Sequence, residues 1–168
     1  MPSKKASSAD NQQERLKRVG WIIGYVDGEG CFSVSLFRNK TTKFGWQVFP
    51  EFVVTQGEKS KESLKILEKF FKCGKIYVNK RHDNHNENIY RYCVRSKNEL
   101  TKIVIPFFRN NQLKTAKKED FKIFARIIEL MNKGIHSEIS GIKRIAKLVE
   151  KMNHKKSSKF LESSETKR

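Results

Sequence analysis

Ile22-Ile23-Gly24-Tyr25-Val26-Asp27-Gly28-Glu29-Gly30 is the stretch on which the reading of the whole chain turns. Leu16, Val19, Ile22, Ile23 and Val26 fall on one stripe at helical spacing, so the pattern predicts a helix from Glu14 to Gly28. Gly20, Gly24 and Gly28 recur every fourth residue on roughly the opposite side. A glycine inside a helix costs about 1 kcal/mol relative to alanine, so three of them need a compensating role. Small residues four apart let two helix backbones approach closely. One face is therefore expected to meet the chain's own sheet, and the Gly20, Gly24, Gly28 face a partner helix.

The helix ends where Asp27 and Glu29 begin, so its unpaired carbonyls and negative dipole end project beside two carboxylates. Such an arrangement attracts cations. A hard divalent ion keeps several waters, so one carboxylate with a backbone carbonyl makes an adequate set. Taken alone, the same residues read equally well as an acidic cap with glycines for a tight turn.

Downstream the period changes. Residues 31–38 and 46–56 alternate as two strands around the polar turn at 39–43, residues 61–72 return to helix, and Cys73-Gly74 supplies its C-cap. Two more strands, at about 75–81 and 89–95, flank the turn at 82–88. A short helix at about 97–104 is expected to stop at Pro106, and helices at about 117–132 and 138–152 follow. The order predicts the α+β class: helices on one face of a four-stranded antiparallel sheet, with the other face free for a ligand.

Strand parity says what that face displays. If Phe32, Val34 and Leu36 pack inward, Ser33, Ser35 and Phe37 point out; if Ile76 and Val78 pack inward, Lys75, Tyr77, Asn79 and Arg81 point out; if Tyr90, Tyr92 and Val94 pack inward, Arg91, Cys93 and Arg95 point out. Asn39 and Gln47 extend the set at the first hairpin, although Gln47 shares its face with Phe49, Glu51 and Val53, which is not basic. A twisted ribbon carrying Arg, Lys, Asn and Ser suits a DNA major groove. The alternative is a set of merely solvated positions.

Charge points the same way. The net charge is +18, and the two ends, 1–19 and 155–168, carry +3 each, so +12 belongs to the body. A basic excess built into the folded part implies a polyanion, because neutralised phosphates release counterions. One domain is expected over 14–154, between basic or polar flexible tails at 1–13 and 155–168. No stretch approaches the roughly 20 apolar residues of a membrane span and no apolar signal core is present, so an intracellular protein, cytoplasmic or organellar and not secreted, is expected. Cys31, Cys73 and Cys93 lack a CxxC pair and read as buried thiols. His82 and His85 form a poor metal site without further partners.

The segment 22–30 resembles the defining motif of the LAGLIDADG homing endonucleases. The likeness continues through Phe52-Val53-Val54-Thr55-Gln56, Cys73-Gly74-Lys75-Ile76, Val104-Ile105-Pro106-Phe107-Phe108, Lys117-Lys118-Glu119-Asp120-Phe121, and from His136 through Gly141 to Met152-Asn153. It covers about residues 16–154 in the family's order. The resemblance implies an αββαββα core whose sheet saddles the DNA, followed by additional C-terminal helices. With one motif in the chain, it implies a homodimer on a long, approximately palindromic duplex site. The implied reaction is a double-strand break by metal-assisted phosphodiester hydrolysis, with Mg²⁺ or Mn²⁺, by an intron-encoded enzyme. On the family's pattern Glu29 is the metal-binding catalytic acid, standing where Asp is common; Asp27 is the first acid, which helps fix the helix ends and also lies near the metal, with the Gly28 carbonyl as a further ligand. Gln56 orients water, and a lysine before the fifth helix, Lys117 in preference to Lys114, stabilises the phosphorane. Two other roles stay open at this point: an RNA-binding, maturase-like splicing factor, and a DNA-binding protein without cleavage.

Overall fold

The computed structural model describes residues 8–80, 87–152 and 160–161. Helix α1 (Ser8–Glu29) leads into β1 (Gly30–Arg38) and β2 (Trp46–Gly57). Helix α2 (Lys61–Phe71), β3 (Lys75–Asn79) and β4 (Ile89–Val94) follow, then α3 (Lys97–Glu99), α4 (Ile105–Asn110), α5 (Lys117–Asn132) and α6 (Ile139–Met152). The four strands form one antiparallel sheet in the order β1-β2-β4-β3, so the long β2 and β4 lie at its centre. The helices pack on one face, as the α+β reading expects.

Phe32 is the junction between sheet and helices. Its ring stacks on Phe52 at 5.0 Å and meets the edges of Phe108 and Phe121 at 5.4 and 5.2 Å. It thus ties β1 and β2 to α4 and α5. Tyr92 is fully buried, and its hydroxyl donates to the Cys73 carbonyl at 2.9 Å, which satisfies the polar tip inside an apolar core.

Four expectations need correction. Pro106 does not stop its helix. A π turn at Leu100–Val104, in which the Ile105 amide reaches back to the Leu100 carbonyl, widens the backbone just before the proline, and the helix continues to Asn110. That wider turn relieves the clash a proline ring makes with the preceding turn. Helix α2 ends at Phe71 with Lys72, not glycine, in the left-handed conformation (φ 52°), and Gly74 (φ 75°) makes the next bend. A side chain at Gly74 would lie 2.8 Å from the Cys93 carbonyl, so the strand could not approach. Third, α1 begins six residues before the expected Glu14, so residues 8–13 are helical rather than tail. Fourth, the expected C-terminal tail contains Phe160, which is buried edge-on against Trp46 at 5.1 Å.

The parity of β1 holds, with Phe32 and Val34 buried and Ser35 and Phe37 exposed. Strand β3 departs from it: Val78 is exposed and Ile76 only half-buried, because β3 is an edge strand with little helix above it.

Candidate active site

The α1 to β1 junction is sharp, and Gly30 makes it possible: a Cβ there would fall 2.6 Å from the Val26 side chain and 2.8 Å from its carbonyl. The turn therefore delivers the end of α1 directly onto the head of β1. Val26 is buried, whereas Gly28 and Glu29 are exposed, so the last carbonyls and the Glu29 carboxylate open outward together.

Asp27 and Glu29 have different environments. The Asp27 carboxylate accepts the Lys114 amide at 2.7 Å, the Thr115 amide at 3.2 Å and the Thr115 hydroxyl at 2.8 Å. Burial pushes its pKa up, but these donors and the nearby Lys117 outweigh it and hold the carboxyl below its ordinary range. Asp27 thus ties α1 to the loop before α5 and has much of its acceptor capacity engaged. Glu29 stays open.

The two lysines separate as clearly. Lys114 contributes its backbone amide to Asp27. Lys117 sends its ammonium to the end of α1, donating to the Val26 carbonyl at 3.0 Å and the Gly28 carbonyl at 3.3 Å. A cation at a helix C-terminus is favoured by the dipole and by the orphan carbonyls there.

Gln56 lies near the end of β2, whose residue Val54 pairs with Gly30 at the head of β1. Tyr25, one turn before Glu29, reaches toward it. The Tyr25 hydroxyl is 2.5 Å from Ser63 Oγ, and burial pushes its pKa up while Ser63 and Gln56 bonds oppose the rise. Tyr25 and Thr115 belong to this arrangement of bonds, and the sequence alone did not single them out. Nothing local marks Thr115, because its partner Asp27 lies 88 residues away.

The sheet's free face carries Ser33, Ser35, Phe37, Gln47, Lys75, Tyr77, Asn79, Arg91 and Arg95. Asn39 and Gln47 bond to each other at 2.6 Å, and Asn39 Oδ1 accepts the Thr41 amide, so Asn39 also shapes its turn. Cys93 is buried on this face, as is Cys73 in the core, while Cys31 is exposed rather than buried. Arg91 and Arg95 do not stand free: both donate to Glu51, which is buried. Arg81, His82 and His85 lie outside the described residues.

On α1, a Cβ added at Gly20, Gly24 or Gly28 would meet nothing within 4 Å. That face is open surface in the single chain, with Leu16 and Trp21 exposed on the same helix. No helix among the described residues is long and apolar enough to cross a membrane.

The model of a family described as LAGLIDADG endonuclease matches residues 22–128. "Probable intron-encoded endonuclease 3" of Neurospora crassa is 30% identical over 151 residues, covering 89% of this chain and 27% of that protein. The chain thus spans about a quarter of the length of this curated relative. Among solved structures, a homing endonuclease, I-TnaI, superposes with a TM-score of 0.76 at 39% identity, covering 89% of this chain and 97% of that one. I-SmaMI bound to an uncleaved DNA target in the presence of calcium ions superposes with a TM-score of 0.76 at 32% identity, covering 84% and 47%.

Proposed function

The chain belongs to the LAGLIDADG endonuclease family, and from that premise we propose that it is an intron-encoded, site-specific DNA endonuclease acting inside the cell as a homodimer. The observation that carries the reading is the convergence at the end of α1. An open carboxylate, an engaged carboxylate, an ammonium and a strand-end glutamine meet beside a basic sheet face.

The donor set suits a hard cation. Among the described residues no three His, Cys, Asp or Glu side chains cluster into a cage. The ligands at hand are oxygens only: the exposed Glu29 carboxylate, which is open, and the Gly28 carbonyl, from which a bound cation would displace the Lys117 ammonium. Mg²⁺ or Mn²⁺ accepts such an incomplete set, because waters and phosphate oxygens supply the rest. When bound there, the ion would supply Lewis-acid stabilisation of the phosphodiester and a more acidic water.

The chain's own residues have the following parts. Glu29 binds the cation and holds a negative charge at the helix end. Asp27 fixes the loop that leads into α5 and its first residue, Lys117, so its role is positional. The Lys117 ammonium carries positive charge to where a phosphate would gain negative charge during attack. Gln56, at the end of β2, positions a water by hydrogen bonding. The sheet face holds the duplex through phosphate and base-edge contacts, and the Gly20, Gly24, Gly28 face brings two such sites together, each cutting one strand.

Incubation with a pool of randomised duplexes and Mg²⁺, with fragment ends mapped, tests this. The wild type should cut a roughly symmetric sequence, and Glu29→Gln should bind the same sequence without nicking it. Normal cutting by Glu29→Gln would remove the assigned metal role.

A further inference from the structure

Glu51 is out of place on a surface built to meet phosphates. It lies in the central strand β2, points to the free face and is only 7% exposed; among the described residues it is the one buried carboxylate. An acid there repels a polyanion, and a buried charge is costly unless it is paired. Its pairing is specific. One carboxylate oxygen accepts Arg91 Nη2 at 2.9 Å and the other accepts Arg95 Nε. The Arg95 guanidinium also sits 4.7 Å from the Tyr77 ring centroid and 5.8 Å from that of Phe49. Both arginine side chains remain about two-fifths exposed, at 40% and 38%. Guanidinium has five N–H donors, so each arginine is anchored through part of its fork and presents the rest outward.

We infer that Glu51 is a positioning residue for sequence discrimination: it fixes the Arg91 and Arg95 guanidiniums at the centre of the sheet, at a cost in overall electrostatic attraction to DNA. The inference rests on the proposal that this face binds duplex DNA. A side chain that only stabilised the sheet would need no two arginines aimed outward. A pre-set guanidinium reads a base edge in one geometry, whereas a free one follows any phosphate. Removing the carboxylate therefore exchanges selectivity for indiscriminate affinity.

Two variants separate charge from geometry. Glu51→Gln keeps the shape, loses the charge and turns a donor toward one arginine. Glu51→Asp keeps the charge but is one methylene too short to hold both. Each is used in a binding selection on randomised duplexes, followed by salt titration on the selected and on random sequence, with melting measured in parallel. Both variants should lose preference at the same few half-site positions, and the ratio of selected to random affinity should fall at least tenfold. Glu51→Gln should also bind random duplex more tightly, with a salt slope steeper by about 1, and Glu51→Asp should keep the wild-type slope. Preference retained in both variants, or a uniform loss of affinity at an unchanged ratio, overturns the inference and leaves DNA binding standing. A wild type that retains no duplex overturns both. Should Glu51→Gln not fold, Glu51→Asp decides alone.

Discussion

The Lys117 ammonium donates to the Gly28 carbonyl at 3.3 Å, across 89 residues of chain. The contact joins the first residue of α5 to a backbone carbonyl at the end of α1, next in sequence to Glu29. A lysine there neutralises orphan carbonyls in the free protein and sits where phosphate charge would develop. Lys117→Met should therefore reduce strand cleavage by about 10²-fold or more, with DNA affinity changed less than tenfold. Lys114→Ala, which keeps the amide that Asp27 uses, should retain most activity. Single-turnover cleavage and binding titrations on one selected duplex separate the two effects, and equal losses in both variants would contradict the assignment.

Asp27 makes a prediction for stability. Its three accepted bonds tie two distant segments, so Asp27→Ala should destabilise the fold by about 1–3 kcal/mol. Because the folded carboxyl is held below its ordinary range, its contribution is complete above the unfolded pKa, about 3.9, and is lost as pH falls through the lower folded value. The gap in melting temperature between wild type and Asp27→Ala should be constant near neutrality and narrow below pH about 4. A gap that widens on acidification would reverse the sign and refute the account.

Much of this arrangement is legible in the sequence, and the illegible part has one physical cause. Helix and strand periods place β1, β2, α2, α5 and α6 within a residue or two of where they lie, and α1 apart from its first six residues, because each buries a stripe or a face that the pattern marks. The acidic pair, Gln56 and Lys117 are named as candidates by the motif and its resemblance. What does not follow is pairing across the fold. Nothing local says that Asp27 faces Thr115, that Tyr25 reaches Ser63, or that Glu51 faces two arginines from β4. Strand parity predicts that Arg91 and Arg95 share the free face but not that an acid from β2 occupies them. Pro106 misleads for a related reason: its rule concerns a regular helix, and the π turn that accommodates it is a property of the packed chain.

The open glycine face predicts an association state. Leucine at Gly24 has room in the single chain, since a Cβ there meets nothing within 4 Å. Gly24→Leu should consequently fold with a melting temperature near that of the wild type. If α1 packs against a second α1, the same side chain holds the two backbones apart, and sedimentation should show a monomer where the wild type is a dimer. Cleavage would then fall to nicking or vanish. An unchanged dimer would place the interface elsewhere.

Phe160 predicts that the basic C-terminal region contributes to stability. With Trp46, Ile142 and Ala146 it forms a small cluster beside the main core, between the β1–β2 hairpin and α6. The Arg38 guanidinium also lies over the Trp46 ring, 4.3 Å from its centroid. The indole thus touches one residue from β1 and one from beyond α6, and it registers the hairpin against the helix. Phe160→Ala should cost about 3 kcal/mol, at the low end for a buried phenylalanine because the cluster is small. It should also raise amide exchange in β1 and at the Trp46 end of β2 more than in β3. Phe160→Leu, which refills most of the volume, should recover the larger part of the loss. A charged tail that merely hung from α6 would show neither effect, so removing residues 153–168 should reproduce Phe160→Ala in thermal melting; a truncated chain as stable as the full one would refute the packing role.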